Sequence, residues 1–257
     1  MHLPVRLFLA LCLAHLLGDF PFQPNSLWEQ KKSRWWAVIV HGSIHLGLVV
    51  LCLAAFASPV QVISWPIIMF SVLYVAVHLL IDVVKQRLFD DSMVVLSIDQ
   101  ALHFATIIGL TLCITKVDWQ EMYSLLAPSE STRDLVLTGG VVYTLVVFAS
   151  GYVIRYMTRS LVRSLPSAEG EPTEQLRNAG LYIGWLERLL IITAVVLRSP
   201  TLIGLILTGK SIARFPEMKE PKFAEYFLIG TLLSVSIAFF GGLLLLKLWH
   251  GTVSLQP

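Results

Sequence analysis

The stretch His78-Leu-Leu-Ile-Asp82-Val-Val-Lys85 closes an apolar run that extends from about residue 62 to residue 88. A run of that length can cross the hydrocarbon core of a bilayer as a helix, which takes about 20 residues. Within it His78 and Asp82 stand four positions apart, and helical residues at that spacing share one face, one turn apart. Ionisable groups in lipid are costly, so they turn toward a protein interior and are normally functional. The stretch therefore reads as a membrane helix presenting a chelating pair to its neighbours.

The same pattern occurs three more times in the first 103 residues, as His15/Asp19, His41/His45 and Asp99/His103, each inside an apolar segment. Each pair is spaced to grip one metal ion, as the two histidines of zinc-protease helices do.

Composition supports the membrane reading. Of 257 residues 56% are hydrophobic and 14% charged, with a mean hydropathy of +0.73, whereas a soluble domain carries about 25% charged residues. The formal net charge of +2 is too small to imply nucleic acid. Cys12, Cys52 and Cys113 are scattered through apolar segments and read as small core residues.

Apolar segments fall at about 3 to 20, 36 to 57, 62 to 88, 93 to 115, 135 to 157, 180 to 198, 200 to 214 and 224 to 249. The expected fold is all-α, a polytopic transmembrane bundle of about eight spans, with seven possible because the seventh segment is short and the Ser199-Pro200 break before it can mark a tight turn or a re-entrant piece. The first segment carries His15 and Asp19 and lacks a small-residue cleavage site, so it reads as a retained span. Residues 1–115 form a motif-rich first domain whose four helices make a His/Asp-lined bundle. Residues 116–257 form a second helical half, with a Pro-, Gly- and charge-rich linker near 159–178.

Basic residues set the orientation. Lys31, Lys32 and Arg34 follow span one, Lys85 and Arg87 follow span three, Arg155, Arg159, Arg163 and Arg177 flank the linker, and Lys210, Arg214, Lys219 and Lys222 follow span seven. The positive-inside rule then puts these loops in the cytoplasm and both termini in the periplasm of a bacterial inner membrane. His15/Asp19 and His78/Asp82 close their spans while His41/His45 and Asp99/His103 open theirs. An up-and-down arrangement brings all eight side chains to one depth near the cytoplasmic face, as in bundles whose facing helices share a metal.

Imidazole and carboxylate suit zinc first, with manganese or non-haem iron as alternatives, and the lack of nearby Cys argues against an iron–sulfur cluster. Eight candidate ligands exceed one tetrahedral set, so either two metals share them or some Asp residues hold a ligand histidine in its tautomer. An ion with an open position supplies a hydrolytic water at neutral pH, with Asp19, Asp82 or Asp99 as base. The competing readings are a proton or cation pathway, which calls for further ionisable groups on the outer side, polar contacts that merely hold helices together, and a sensor or assembly protein with a structural metal.

The stretches His15-Leu-Leu-Gly-Asp-Phe-Pro-Phe-Gln23, His41-Gly-Ser-Ile-His45, His78 to Lys85 and Ile98-Asp-Gln-Ala-Leu-His103 resemble the bacterial membrane family catalogued as domain of unknown function 3307. The resemblance covers most of the first 110 residues and extends to Gln23, Lys85 and Gln100, which it implies lie beside the ligands. Gly209 to Phe215 and Ala224 to Ser234 also look like parts of longer members. More loosely, His-x-x-x-Asp is similar to the zinc motif of helical phospholipases C, of single-strand-specific zinc nucleases and of predicted membrane metal-dependent hydrolases.

In the second half, Glu187, Arg188, Lys210, Arg214 and Glu225 fall toward the same membrane side. Arg188, Lys210 and Arg214 are candidate holders of a phosphate or other anion. The plainer reading has Glu187 and Glu225 neutralise those cations, with Lys210 and Arg214 snorkelling to the interface. Gly209-Lys210-Ser211 reads as no phosphate-binding loop, since the strand that precedes such a loop is missing. Trp28, Trp35, Trp36, Trp65, Trp119, Trp185 and Trp249 fall near span ends as interfacial anchors. Pro21 and Pro24 end the first helix and leave Gln23 on irregular backbone below Asp19. The partners these readings imply are the lipid bilayer and a lipid or amphiphilic substrate.

Overall fold

The computed structural model describes residues 3–57, 65–117, 131–163 and 174–250. Trp119, most of the acidic loop from Lys116 to Arg133 and most of the linker lie outside the described residues. Among the described residues every regular element is helical.

The helices are α1 (Leu3–Asp19), α2 (Asn25–Lys31), α3 (Trp35–Phe56), α4 (Trp65–Leu88), α5 (Met93–Thr115), α6 (Thr132–Thr144), α7 (Ser150–Arg163), α8 (Glu174–Val196), α9 (Pro200–Ala213) and α10 (Pro221–His250). Over its described residues each of the eight apolar segments is mainly helical. Among the described residues, five stretches are long and apolar enough to cross a membrane: α3, α4, α5, residues Thr132–Arg159 and α10.

Local chemistry sets the boundaries. Pro24 precedes α2 in extended conformation, where its missing N–H costs nothing. The hydroxyl of Ser92 accepts from the Val95 N–H at 3.2 Å and caps α5. Lys116, at φ 56°, ends α5 in the left-handed region. Arg198, at φ 55°, follows α8, and Pro200 opens α9, so the Ser199-Pro200 break is a tight turn between two helices.

The chain forms two compact units, Met1–Val141 and Val142–Pro257. The first takes in the start of α6, whose Leu137 is buried in its core. Its helices close a ring, α1 beside α3, α3 beside α4, α4 beside α5 and α5 beside α1. The interior of one end is apolar, with Leu7, Leu11, Val49, Tyr74, Ile107 and Leu137 buried together. At that end Arg6 makes a two-point pair with Asp134, at 2.6 and 3.0 Å.

The second unit packs Val142, Val146, Ile191, Ile192, Ala238 and Leu245 as its core. Gly241 and Gly242 let α10 approach closely, since a Cβ at Gly241 would strike Val146 and one at Gly242 would lie 2.7 Å from Val195. Between α6 and α7 the helix widens into a π turn over Leu145–Ala149. There the Val147 carbonyl accepts from Nε and Nη2 of Arg188, at 3.0 and 2.7 Å. Side chains inserted at the hydrogen-bond ladder produce such local widening.

Candidate metal centre

Four-residue spacing on antiparallel neighbours sorts the interior of the first unit into layers. Leu11, Val49, Tyr74 and Ile107 form an apolar floor. One turn on, His15, His45, His78 and His103 form an imidazole layer, with ring centroids 3.9 Å apart for His45/His78, 4.2 Å for His78/His103 and 4.8 Å for His15/His103. The next turn brings Asp19, His41, Asp82 and Asp99. Beyond them stand the ammonium groups of Lys31, 2.5 Å from Asp82 Oδ2, and Lys85, 2.7 Å from Asp99 Oδ2. All eight expected ligands come together, and all are buried.

The donor atoms converge further than packing requires. His41 Nε2, His78 Nε2 and Asp19 Oδ1 form a triangle with edges of 3.2, 3.4 and 3.4 Å. A tetrahedral ion bound at about 2.0–2.1 Å has its ligand atoms about 3.3–3.4 Å apart, by simple geometry from those bond lengths. Two atoms offer a fourth vertex: His45 Nε2, 3.1 Å from Asp19 Oδ1, and Asp82 Oδ2, 3.3 Å from His41 Nε2. Three groups in the bundle meet the spacing for holding an ion: His15/Asp19/His45/His78, His41/His78/Asp82 and Asp19/Asp99/His103. His78 and Asp19 each belong to two of them.

Hydrogen bonding orders the remaining nitrogens. Gln100 Oε1 lies 3.2 Å from His15 Nε2, and its Nε2 donates to Asp19 at 3.3 Å and Asp99 at 3.2 Å. An amide oxygen only accepts, so His15 carries its proton on Nε2 and keeps the Nδ1 lone pair free. His78 Nδ1 faces His103 Nδ1 at 3.1 Å, and His103 Nε2 faces Asp99 Oδ1 at 3.4 Å. With His78 donating, its Nε2 lone pair points into the triangle. Orientation of a ligand imidazole through its other nitrogen is the usual support for a metal site. His15 Nδ1, His41 Nδ1, His45 Nδ1, Asp99 Oδ1 and His103 Nε2 are buried without a hydrogen-bond partner. Buried polar atoms are rarely left so, and a bound cation would account for those that carry lone pairs.

Electrostatics fits a cation as well. Three carboxylates face two ammonium groups, and with neutral imidazoles the cluster carries one net negative charge.

Gln23 stands where the turn after α1 suggests. Its amide donates to the Asp19 carbonyl at 3.0 Å and its oxygen accepts from Lys31. Lys31, expected as a topology signal, is buried on Asp82 instead, while Lys32, Arg34 and Arg87 remain exposed. Gly18 and Tyr74 also escaped the sequence reading. A Cβ at Gly18 would run into the His45 ring, so α1 needs glycine there to seat that imidazole. Tyr74, one turn below His78, is buried with its hydroxyl unpartnered. Its signal was the same four-residue spacing.

In the second unit Glu187, Arg188 and Lys210 come together, with Lys210 Nζ 2.6 Å from Glu187 Oε2 and Arg188 spent on Val147 and, at 3.5 Å, Ser234. Arg214 pairs with Glu217 at 3.3 Å in the open, and Glu225 is exposed at the start of α10.

Fold and centre together define a helical membrane protein whose ionisable residues gather inside a four-helix bundle. Residues 7–128, which hold all eight motif residues, match the family described as Protein of unknown function (DUF3307). No curated protein and no solved structure matches the chain, and the similarity to zinc hydrolases remains one of motif spacing alone.

Proposed function

We propose that the protein is a metal-dependent hydrolase of an ester in a lipid or other amphiphile, working near the cytoplasmic face of a bacterial inner membrane. The reading includes about eight spans with both termini periplasmic, as the basic loops favour. The observation that carries it is the His41/His78/Asp19 triangle, whose edges match those of a tetrahedral zinc site. His45 or Asp82 lies beside the fourth position. Manganese or iron fits the same donors less specifically.

A divalent ion there would supply a water acidic enough to attack at neutral pH. The chain's own part is to take the proton. Asp99 is not a vertex of the triangle and its Oδ1 faces His103, so this pair would receive the water's proton. The water oxygen bonds to the ester's phosphorus or acyl carbon, the bond to the alcohol oxygen breaks, and that oxygen leaves with the proton. Asp19 serves as ligand, and Asp82 is held by Lys31.

A transport pathway is disfavoured by the apolar floor of Leu11, Val49 and Ile107 beneath the imidazoles. Beyond that floor among the described residues of the unit the ionisable pair is Arg6/Asp134, closed on itself.

The test is elemental analysis of detergent-purified protein, with turnover of phosphate and acyl esters measured on the same preparation. One or two equivalents of zinc are expected, lost in His78→Ala and kept in His250→Ala, together with ester cleavage. Full metal in His78→Ala would overturn the site. Metal without cleavage of any ester would leave a structural centre in place of an enzyme.

A further inference from the structure

A groove of about 280 Å³ opens on the flank of the first unit between α4 and α5, walled by Leu80, Ile81, Val84, Phe89, Val95, Ile98 and Leu102. Its polar residues are Lys85 and Asp99, the same pair that bounds the metal cluster. Both helices are apolar enough to sit in a bilayer, so the groove faces hydrocarbon along its walls and the ion-binding cluster at its inner edge. Leu80 to Leu88 spans roughly 12 Å of helix at 1.5 Å per residue.

Charge specifies what fits. Three carboxylates and two ammonium groups carry one net negative charge, and a divalent ion turns that into one net positive charge. The ammonium nearest the groove is Lys85, held by Asp99 at 2.7 Å and facing Asp82 at 3.9 Å. An anionic group arriving along the groove would neutralise the loaded site. It would take Lys85 from Asp99, which frees that carboxylate for the proton transfer assigned to it above. Lys is a common phosphate partner as a point charge.

We propose that the α4/α5 groove is where the substrate enters, and that the substrate is a single-chain amphiphile with a phosphate head, its chain along Val84 and Ile98 and its head on Lys85 beside the ion. This rests on the metal reading for its charge balance, and on the groove's walls for its chain. The phosphate comes from a membrane amphiphile rather than from solution, because the groove's apolar walls lead from the bilayer side.

The probes are dodecyl phosphate, dodecanol and inorganic phosphate, offered to the zinc-loaded full chain in phosphatidylcholine nanodiscs and read by native mass spectrometry with zinc counted in the same spectra. One dodecyl phosphate should be retained at a concentration at least tenfold below that needed for dodecanol, with inorganic phosphate not retained. Ile98→Trp fills the groove and should raise the required concentration at least tenfold with zinc content and thermal midpoint unchanged. Val94→Trp, on an exposed position outside the groove lining, should bind as the unmodified protein does. Lys85→Gln should erase the preference for phosphate over alcohol. Retention unaffected by Ile98→Trp, or equal retention of dodecanol, would overturn the proposal and show ordinary annular lipid. Groove-dependent retention by a protein that takes up no zinc would overturn the metal reading alone.

Discussion

Lys31 Nζ lies 2.5 Å from Asp82 Oδ2, and both side chains are closed to solvent although 51 positions separate them in the chain. The ammonium comes from α2, a seven-residue helix, and reaches the carboxylate layer of the bundle. Breaking a buried pair by removing one partner costs about 3–5 kcal/mol, because the other charge stays behind. Lys31→Met should therefore lower the unfolding midpoint sharply, and Lys31→Met with Asp82→Asn should cost less than the two single changes summed. Thermal unfolding of the four proteins in one detergent measures this, and simple additivity would mean that the two charges do not interact.

Gly18→Ala places a methyl against the His45 imidazole. Overpacking of this kind costs about 1–3 kcal/mol, and on the proposed metal reading it also displaces a ligand, so zinc content should fall with stability. Gly47→Ala, on α3 two residues after His45, meets nothing within 4 Å and should stabilise that helix by up to about 1 kcal/mol. Paired metal analysis and thermal melts of the two variants separate a seating role for Gly18 from a general helix effect.

Asp99→Asn removes the proposed proton acceptor without touching the His41/His78/Asp19 triangle. Ester turnover should drop about 10²–10⁴-fold while zinc stays bound. Loss of zinc in parallel with activity would instead make Asp99 a ligand.

Arg188→Lys is not conservative at a site where two nitrogens meet one carbonyl. A single ammonium cannot reproduce both bonds to Val147, and the change should cost about 2–3 kcal/mol. Melting of the variant against Arg214→Lys, whose side chain is exposed with a surface partner, is the check.

The His/Asp layers were legible because helical periodicity is local: His78 and Asp82 share a face whatever surrounds them. Topology then aligned the four pairs, since short connections force antiparallel neighbours. Lys31 was not legible as a partner of Asp82, because its position depends on how the turn through Pro21, Gln23 and Pro24 lays α2 against the bundle. Nothing in the spacing of Gly18 marked it either, since a glycine's role in close approach appears only once the neighbouring helix is in place. Likewise Arg188 looked available for an anion, and only the π turn at Leu145–Ala149 revealed a backbone carbonyl waiting for it.

The imidazole layer has a kinetic consequence. His15, His41, His45 and His78 are fully enclosed, between hydrocarbon-like packing on one side and paired charges on the other. An ion bound there would exchange only as fast as the bundle opens, and a water-soluble chelator would meet it only in that open state. Metal content would then record the conditions under which the chain was inserted and folded, more than those of the buffer in which it is later assayed.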